Sequence, residues 1–304
     1  MVNARLTIAR TAIVLASLFF SQTALTMMPT KPVSDRNFLQ LPDGRWLSNV
    51  MVRGSRLTLT KGLGNKMSAS SMQTYQKLKA DSKSNRDHKV QWVLMDLDGK
   101  RILDQSLNAN RKMFGASSSK IFVGATLLSK QSGGLTDKQL RQMGDMLVVS
   151  DNNAWIDLQR QIGDGDADKG RELNYRFTQD MGYELTRGFQ GYWGKMHGNE
   201  LTALETTEFL RDMYWGHFWG AETLWKMMHT CRTGGSRGLK YFPKNIFVGG
   251  KTGTYDGPTE DPETGKEVVV KTRNHVMVFN YEGRQYGLTI FANNGSDESV
   301  ALIA

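Results

Sequence analysis

The chain has 304 residues, of which 39% are hydrophobic, and a chain of this size and composition can bury the core of one large domain. Its 39 lysines and arginines outnumber its 30 acidic residues, so its net charge of +9 is compatible with an acidic partner such as an envelope polymer, anionic lipid or nucleic acid. Cys231 is the only cysteine, which excludes an intramolecular disulfide.

The first 26 residues predict a secretory signal peptide. Arg5 and Arg10 precede an apolar run from Thr11 to Phe20, and small and polar residues suited to cleavage follow it. The run is too short to span a bilayer comfortably, and an uncleaved anchor is the alternative. Cleavage would remove two arginines and no acid, which lowers the net charge from +9 to +7. We therefore expect a periplasmic or secreted protein with no membrane span after cleavage and no nucleic-acid partner.

Residues 27–65 predict an irregular or β-rich N-terminal extension, with turn signals at Pro42-Asp43-Gly44 and Gly54 between short alternating segments. From Lys66 to Lys83, apolar side chains recur at helical spacing, which predicts an amphipathic helix. No repeat or long linker divides the remaining chain. Residues 66–304 are therefore assigned to one domain.

Two predicted strand pairs frame this domain. The segment VQWVLMDLDGKRIL predicts two strands joined by a turn at Asp98-Gly99, and HVMVFNYEGRQYGLTIFAN predicts a second pair around Glu282-Gly283. Between Ile121 and Gly253 the pattern is mainly helical. Strands at both ends with helices between them predict an α/β sandwich, in which the N- and C-terminal strands share one sheet.

The stretch MFGASSSKIFVGATLL, from Met113 to Leu128, holds the first candidate for chemistry. If a helix begins near Ser117, Lys120 lies on the same face one turn later, so its amine can reach the Ser117 hydroxyl. The amine can take that proton only if its pKa is lowered, and burial and a second cation would lower it. The structural alternative is a helix start capped by serines. The S-x-x-K pattern alone does not decide between the catalytic and the structural interpretation, since about one such pattern is expected by chance in a chain of this composition.

Two further tripeptides favour the catalytic interpretation. Ser150-Asp151-Asn152 lies at the junction of two helical segments, and Lys251-Thr252-Gly253 follows a β-like run. Each tripeptide has a chance expectation below about one in ten. The order S-x-x-K, S-D-N, K-T-G is the motif set of penicillin-recognising serine enzymes. From Met67 to Ala304 the chain resembles the superfamily of class A β-lactamases and D-alanyl-D-alanine peptidases.

The resemblance implies an α/β fold of the β-lactamase/transpeptidase type, with an antiparallel sheet flanked by helices and a helical subdomain. It implies that Ser117 attacks a carbonyl and that Lys120 accepts the Ser117 proton. Ser150, helped by Lys251, would pass a proton to the leaving nitrogen. The oxyanion would be bound by the backbone amides of Ser117 and Thr254, and the rest of the substrate by Asn152, Thr252, Gly253 and Arg273. Asp151 is interpreted as a brace of its loop.

Two features depart from the superfamily's pattern. Only 33 positions separate Ser117 from Ser150 (150 − 117), fewer than in typical class A enzymes. We therefore expect the small subdomain on one side of the cleft to be missing and the groove to be more open. The stretch from Thr186 to Thr202 also lacks the E-x-x-x-N glutamate that activates the deacylating water in class A enzymes. Its one carboxylate, Glu200, is interpreted as part of a helix start, where the macrodipole favours an acid.

The sequence does not favour a metal site, and the resemblance implies no cofactor. Asp164, Asp166 and Asp168 are spaced like the start of a calcium loop, but Lys169 and Tyr175 stand where an EF-hand needs glycine and glutamate. The five histidines include no H-E-x-x-H pair, the pattern typical of zinc hydrolases.

Three functions are compatible with these observations. The first is an exported serine hydrolase that forms an acyl-enzyme with D-Ala-D-Ala-type peptidoglycan peptides and with β-lactams. The second is a class A-like serine β-lactamase that uses the same serine, and the third is a non-catalytic module that senses cell-wall peptide or β-lactam. The missing glutamate favours the first over the second. The presence of every motif side chain disfavours the third.

Overall fold

The computed structural model describes residues 32–33, 37–187, 199–261 and 264–304. The predicted signal peptide lies outside these ranges, as do residues 188–198 of the stretch that lacks the glutamate. Within the described ranges the strands are β1 (Met51–Val52), β2 (Ser55–Arg56), β3 (Val90–Asp96), β4 (Arg101–Gln105), β5 (Met113–Phe114), β6 (Glu200–Leu201), β7 (Val248–Glu260), β8 (Glu267–Tyr281) and β9 (Arg284–Ala292).

Five strands form one antiparallel sheet in the spatial order β4-β3-β9-β8-β7. Along its whole length β3 pairs with β9, from Val90 opposite Ala292 to Asp96 opposite Tyr286. Strands from both ends of the domain therefore share the sheet, which confirms the predicted α/β class. The predicted β8–β9 turn at Glu282-Gly283 is also confirmed, and the φ angles of its two residues, 50° and 80°, suit a tight two-residue hairpin.

The helices are α1 (Ala69–Ser84), α2 (Lys120–Lys130), α3 (Asp137–Val148), α4 (Asn152–Ile162), α5 (Ala167–Asp180), α6 (Ala203–Tyr214), α7 (Ala221–Met228) and α8 (Asp297–Ile303), with short 3₁₀ turns at Leu47–Asn49 and Ala116–Ser119. Several helices begin at a polar side chain that accepts a hydrogen bond from a free backbone amide. Thr136 does so for α3, Asp151 for α4 and Thr202 for α6. Each such cap contributes about 1 kcal/mol.

Helices cover the sheet on both faces. In β8, Val276 and Val278 pack into the core that contains α2, α6 and α7, whereas Met277 and Phe279 point to the other face, beneath α1 and α8. This alternation follows from the two-residue period of a strand. Every residue of α2 from Lys120 to Leu128 is buried, so α2 is an internal helix. A lysine at its first turn is removed from water by the fold itself.

The predicted helix over Lys66–Lys83 is observed as α1. Its apolar face is narrower than the sequence indicated, because Met72 is 44% exposed. The helix docks through the partly buried Leu78 and through Ser82, whose hydroxyl accepts a 2.9 Å hydrogen bond from the indole nitrogen of Trp92. A polar contact here replaces part of the expected apolar packing.

The segment from residue 37 to residue 68 is irregular apart from the 3₁₀ turn Leu47–Asn49 and the two-residue strands β1 and β2, which pair with each other. Its side chains Leu47, Val52 and Leu57 are buried in the same core as α2 and α3. Near its end, Lys61 forms a bridge with Phe247, just before β7. Among the described residues, no helix is long and apolar enough to cross a membrane.

Candidate active site

Ser117 lies on the 3₁₀ turn between β5 and α2 and is half-buried. The residue before it, Ala116, has a φ of +46°, a left-handed conformation that costs energy for a side chain other than glycine. Asn199, just before β6, holds the turn, because the Gly115 amide donates to the Asn199 carbonyl (2.9 Å) and Asn199 Nδ2 donates to the Ala116 carbonyl (3.2 Å). Neighbouring structure thus holds the strained turn in place.

A second fastening comes from β8. Asn274 Nδ2 donates to the carbonyls of Phe114 and Gly115, both at 3.0 Å, and Asn274 Oδ1 accepts from the Ala292 amide at 3.1 Å. Asn274 is fully buried. Sequence reasoning missed this residue, since an asparagine inside a β-like run carries no motif.

Lys120 is fully buried at the first position of α2. Its Nζ donates to Ser150 O (2.7 Å), Asn152 Oδ1 (2.7 Å) and Asp151 O (3.2 Å), so the amine contacts every residue of the S-D-N tripeptide. Burial, together with the positive charge of Lys251, lowers the pKa of Lys120 to about 6, against the opposing effect of Asp151. At neutral pH most of this amine is therefore unprotonated. The neutral amine has two N–H groups, enough for two of these three acceptors at a time, and one lone pair that can receive a proton.

Ser150 links the second and third motifs. It lies between α3 and α4 with a φ of +63°, and Lys251 Nζ donates to its Oγ at 2.9 Å. Lys251 is fully buried in β7 and also donates to Thr252 O at 2.8 Å. Burial lowers the pKa of Lys251 to about 8, so this amine is still largely protonated at pH 7. Two lysines with separated pKa values thus lie on either side of the S-D-N loop.

The K-T-G tripeptide lies on β7, the edge strand of the sheet. Thr252 Oγ1 donates to Thr233 Oγ1 at 2.6 Å. Gly253 passes so close to the Ser117 turn that an added Cβ would lie 2.5 Å from Gly115 O and 2.8 Å from Ser118 Oγ. This close packing requires glycine, because the Cβ of any other residue would clash with the turn and push the edge strand away from it.

Thr254 and Arg273 face each other in the register of β7 and β8. The Arg273 guanidinium is already paired, since Nη2 donates to Asp256 Oδ2 at 2.8 Å and Nη1 to Asp256 Oδ1 at 2.5 Å. These bonds hold the pKa of Asp256 below its usual value. Asp297 Oδ1 lies 3.4 Å from Arg273 Nε. A substrate carboxylate at Arg273 would have to exchange with Asp256, and the substrate-binding role of Arg273 stays a prediction.

Arg237 is a second guanidinium at this edge that sequence reasoning missed. It is buried, and its Nη2 donates to Thr254 Oγ1 (2.7 Å) while Nη1 donates to Gly253 O (2.9 Å) and Asn274 O (3.1 Å). Its Nε is paired with Asp297 Oδ1 at 2.6 Å. Arg237 therefore supports the strand that carries K-T-G. The surrounding TGGSRG stretch offered no signal beyond a glycine-rich loop.

The interpretation of Glu200 as part of a helix start is wrong. Glu200 belongs to β6, opposite Phe114 of β5, whereas α6 begins after Thr202, whose side chain accepts from the Glu205 amide at 3.1 Å. The first-turn acid of this helix is Glu205. Glu200 is buried, and its Oε1 lies 3.7 Å from Arg187 Nε. Sequence reasoning placed the helix two residues early because a two-residue strand leaves no periodic signal.

The aspartates with calcium-loop spacing have other partners. Asp166 caps α5 by accepting from the amides of Asp168 and Lys169, and Asp164 pairs with Lys130 and Lys169. The described residues contain no group of three or more histidine, cysteine, aspartate or glutamate side chains arranged to hold a metal ion.

Comparison with known proteins gives a match in structure only. No sequence-family profile and no curated protein matches the chain. The crystal structure of TLA-3 extended-spectrum β-lactamase is similar with a TM-score of 0.60 at 17% identity, over 77% of this chain and 94% of that one. A class A β-lactamase from Bacteroides cellulosilyticus gives 0.60 at 17% identity, over 79% and 95% of the two chains. A β-lactamase from Streptosporangium roseum gives 0.58 at 17% identity, over 78% and 96%.

The chain therefore has the fold of the class A β-lactamases, as the motif set predicted. At this level of identity the similarity establishes the fold and leaves the reaction to be argued from the site. Between Ser117 and Ser150 the chain forms α2 and α3, joined by a short loop.

Proposed function

We propose that the protein is an exported serine hydrolase that forms an acyl-enzyme with D-Ala-D-Ala-type peptidoglycan peptides and with β-lactams. The observation that carries the proposal is the environment of Lys120. This amine is fully buried, has a pKa lowered to about 6, contacts the whole S-D-N loop and lies one helical turn after Ser117 in sequence. Such an amine is suited to take a proton from a serine at neutral pH. Export rests on the sequence of residues 1–26.

In the proposed mechanism Ser117 Oγ attacks the substrate carbonyl carbon while Lys120 Nζ accepts the hydroxyl proton. The carbonyl oxygen becomes negative and is stabilised by the backbone amides of Ser117 and Thr254, an arrangement that supplies much of the rate in acyl transfer. The edge position of β7 supports this assignment, since alternate amides of an edge strand point away from the sheet.

Collapse of the intermediate breaks the carbon–nitrogen bond. The Ser150 hydroxyl gives its proton to the leaving nitrogen and is reprotonated by the Lys251 ammonium, with which it shares a 2.9 Å hydrogen bond. Asn152 would orient both Lys120 and the substrate amide, Thr252 and Arg273 would receive the substrate's terminal carboxylate, and Gly253 would contact the substrate between them. Water or an amine then attacks the acyl carbonyl carbon and gives its proton to the now neutral Lys251 through Ser150. The Ser117 oxygen leaves with the proton that Lys120 has held, which restores both lysines.

A second candidate function is that of a serine β-lactamase. The position of Glu200 favours it, because this buried carboxylate lies on β6 opposite Phe114, three residues before Ser117 in sequence. A carboxylate there could activate the water that clears the acyl group. The neighbouring residues 188–198 lie outside the part of the chain that the structure describes.

Two substrates separate these functions. The purified protein should release D-alanine from an acylated peptide ending in D-Ala-D-Ala, and Ser117→Ala should abolish the release. Penicillin should acylate the protein and be hydrolysed slowly, and Glu200→Gln should leave the lifetime of the adduct nearly unchanged. Fast steady hydrolysis of penicillin by the wild type, with accumulation of the acyl-enzyme in Glu200→Gln, would instead establish the β-lactamase and make Glu200 its deacylating base.

A further inference from the structure

We propose that Arg53, at the turn of the N-terminal β1–β2 hairpin, is a positioning residue that holds the catalytic S-D-N loop in place. The hairpin would thereby supply a brace beside the loop in a chain that has only α2 and α3 between Ser117 and Ser150. This proposal rests on the function proposed above, because it assigns Arg53 a role in the same site.

The contact that carries the inference joins the hairpin to the loop directly. Arg53 Nη2 lies 2.7 Å from Asp151 Oδ2, across 98 positions of sequence. The other oxygen of the same carboxylate, Oδ1, accepts from the Ala154 amide at 2.9 Å and caps α4. Asp151 is therefore held between the first turn of α4 and the hairpin. Its neighbours Ser150 and Asn152 carry the groups that bind Lys251 and Lys120.

The backbone of the hairpin fixes the position of the arginine. Val52 pairs with Ser55, so Arg53 and Gly54 form a two-residue turn, and their φ angles of +46° and +76° are those that such turns require. Val52 is fully buried and packs against α3 at Gly144, where an added Cβ would lie 2.8 Å from Val52 Cγ2. The arginine thus projects from a turn whose base is anchored on the helix that leads into the catalytic loop.

A second tether lies on the same hairpin. Arg232 Nη2 donates to the Arg56 carbonyl at 2.7 Å, and the Arg232 amide donates to the Val148 carbonyl, the last residue of α3, at 3.0 Å. One hairpin therefore contacts the end of α3 through Arg232 and the start of α4 through Asp151. The S-D-N loop lies between these two points.

The loop needs such external support, because Ser150 adopts a left-handed φ of +63° without being glycine. A strained conformation of this kind persists only where the surrounding structure enforces it. Lys120 donates hydrogen bonds to two backbone carbonyls of the loop and to the side-chain oxygen of Asn152. The ion pair between Arg53 and Asp151 is a separate contact to the same loop, from the hairpin.

The charge of Arg53 gives this role a readout that packing alone would not produce. The charged groups that face the Lys120 amine are Lys251 on β7, which favours its neutral form, and Asp151, which favours its protonated form. Arg53 neutralises Asp151 and also faces Asp145 on α3. Without Arg53, the uncompensated Asp151 would raise the pKa of Lys120. The acid limb of the acylation profile would then move to higher pH.

The experiment measures the rate of acylation by a fluorescent penicillin from pH 5 to pH 9. Arg53→Ala should lower the rate at pH 7 about two- to fivefold, the range that a partly exposed ion pair supports, and should shift the acid limb upward. Arg53→Lys should restore most of both, and Arg53→Glu should exceed the effect of Arg53→Ala. The matched control is Arg45→Ala, which removes an arginine of the same segment that pairs with Asp43 and Asp137, and should behave as the wild type. Equal effects of Arg45→Ala and Arg53→Ala, or a wild-type profile for Arg53→Ala, would overturn the proposal.

Amide hydrogen exchange separates failure of this proposal from failure of the proposed function. Residues 148–154 should exchange faster in Arg53→Ala than in the wild type, whereas Arg45→Ala should leave their exchange unchanged. If the wild type is never acylated by penicillin, the proposed function fails and exchange decides the role of Arg53. Unchanged amide exchange of residues 148–154 in Arg53→Ala would then contradict the positioning role, and faster exchange of these residues would support it.

Discussion

The two lysines of the site differ in pKa for reasons that lie in their surroundings. Both are fully buried. Burial and the charge of Lys251 lower the pKa of Lys120 to about 6, whereas burial and the charge of Arg237 lower that of Lys251 to about 8. Environments that push two pKa values apart assign one group as base and the other as cation. In the proposed mechanism Lys120 is the base, and Lys251 supplies the positive charge and the returning proton.

The rate of acylation should therefore have a bell-shaped pH profile. Activity requires neutral Lys120, which is populated above about pH 6, and protonated Lys251, which is populated below about pH 8. Because the two amines interact, the limbs belong to the pair of lysines. Rate constants for acylation by penicillin from pH 5 to pH 10 measure this profile. A rate that keeps rising to pH 10 would contradict the role of Lys251.

Removing the base should have a large and specific effect. Lys120→Ala should slow acylation by at least about 10²-fold, the usual loss when a general base is deleted, with the circular dichroism spectrum largely retained. Lys130→Ala is the matched control, because Lys130 ends the same helix and binds Ile162 O and Asp164. If Lys120→Ala acylates at the wild-type rate, the base lies elsewhere, and Ser150 is the next candidate.

At the scale of elements, the site depends on how closely the edge strand β7 approaches the Ser117 turn. Gly253→Ala should destabilise the protein by about 1–3 kcal/mol, as overpacking does, and should sharply lower acylation, because its Cβ would meet Gly115 O at 2.5 Å. Urea unfolding and penicillin labelling measure the two effects.

The control for this prediction is Gly134→Ala, whose Cβ would meet only Gln131 O at 3.5 Å. It should match the wild type in both measurements. Wild-type stability and labelling in Gly253→Ala would show that β7 and the turn can separate without loss, which contradicts the contact described here.

The elements that sequence predicted are those with local signals. The β3–β4 and β8–β9 hairpins, α1 and the helix junction at S-D-N were predicted because alternation, turn residues and caps are short-range features. The roles of Asn274, Arg237 and Arg53 were not predicted, since each of these side chains binds a residue outside its own element. Asn274 binds Phe114, Arg237 binds Thr254, and Arg53 binds Asp151. Their roles arise from the packing of different segments against one another. No periodicity or motif in the sequence around these residues indicates that packing.

At the scale of the whole molecule, the described residues include two buried lysines and two buried histidines whose pKa values are lowered. Burial lowers the pKa of His229 to about 4, and burial together with Arg237 and Lys251 lowers that of His275 to about 3. Lys120 and Lys251 add the values of about 6 and about 8. At pH values between the folded and unfolded pKa of such a group, the unfolded chain therefore binds more protons than the folded protein.

Stability should consequently rise with pH. A base whose pKa falls on folding binds more protons when unfolded, so the free energy of unfolding increases with pH between its folded and unfolded pKa values. For the histidines this window ends at 6.5, and for the lysines it extends to 10.5. The urea midpoint should increase from pH 5 to pH 7 and again to pH 9. A maximum at pH 5 would contradict the lowered pKa values of these groups.

The class of fold was predictable because strands at both ends of a helical segment have few ways to bury their apolar faces, and one shared sheet is the simplest. The route of residues 37–65 was not predictable. Their burial beside α3 and their contact with Asp151 depend on side chains more than 90 positions away. The sequence predicted only an irregular or β-rich segment with turns at Pro42-Asp43-Gly44 and Gly54.

The role of Ser117 as nucleophile is tested most directly by the intact mass of the protein incubated with penicillin over time, with Ser117→Ala in parallel. The wild type should gain the mass of one penicillin, and the adduct should map to Ser117 and persist far longer than one turnover of an efficient β-lactamase. Ser117→Ala should gain nothing. No adduct and no penicillin turnover in the wild type, or equal labelling of Ser117→Ala, would contradict the assignment of Ser117 as the nucleophile.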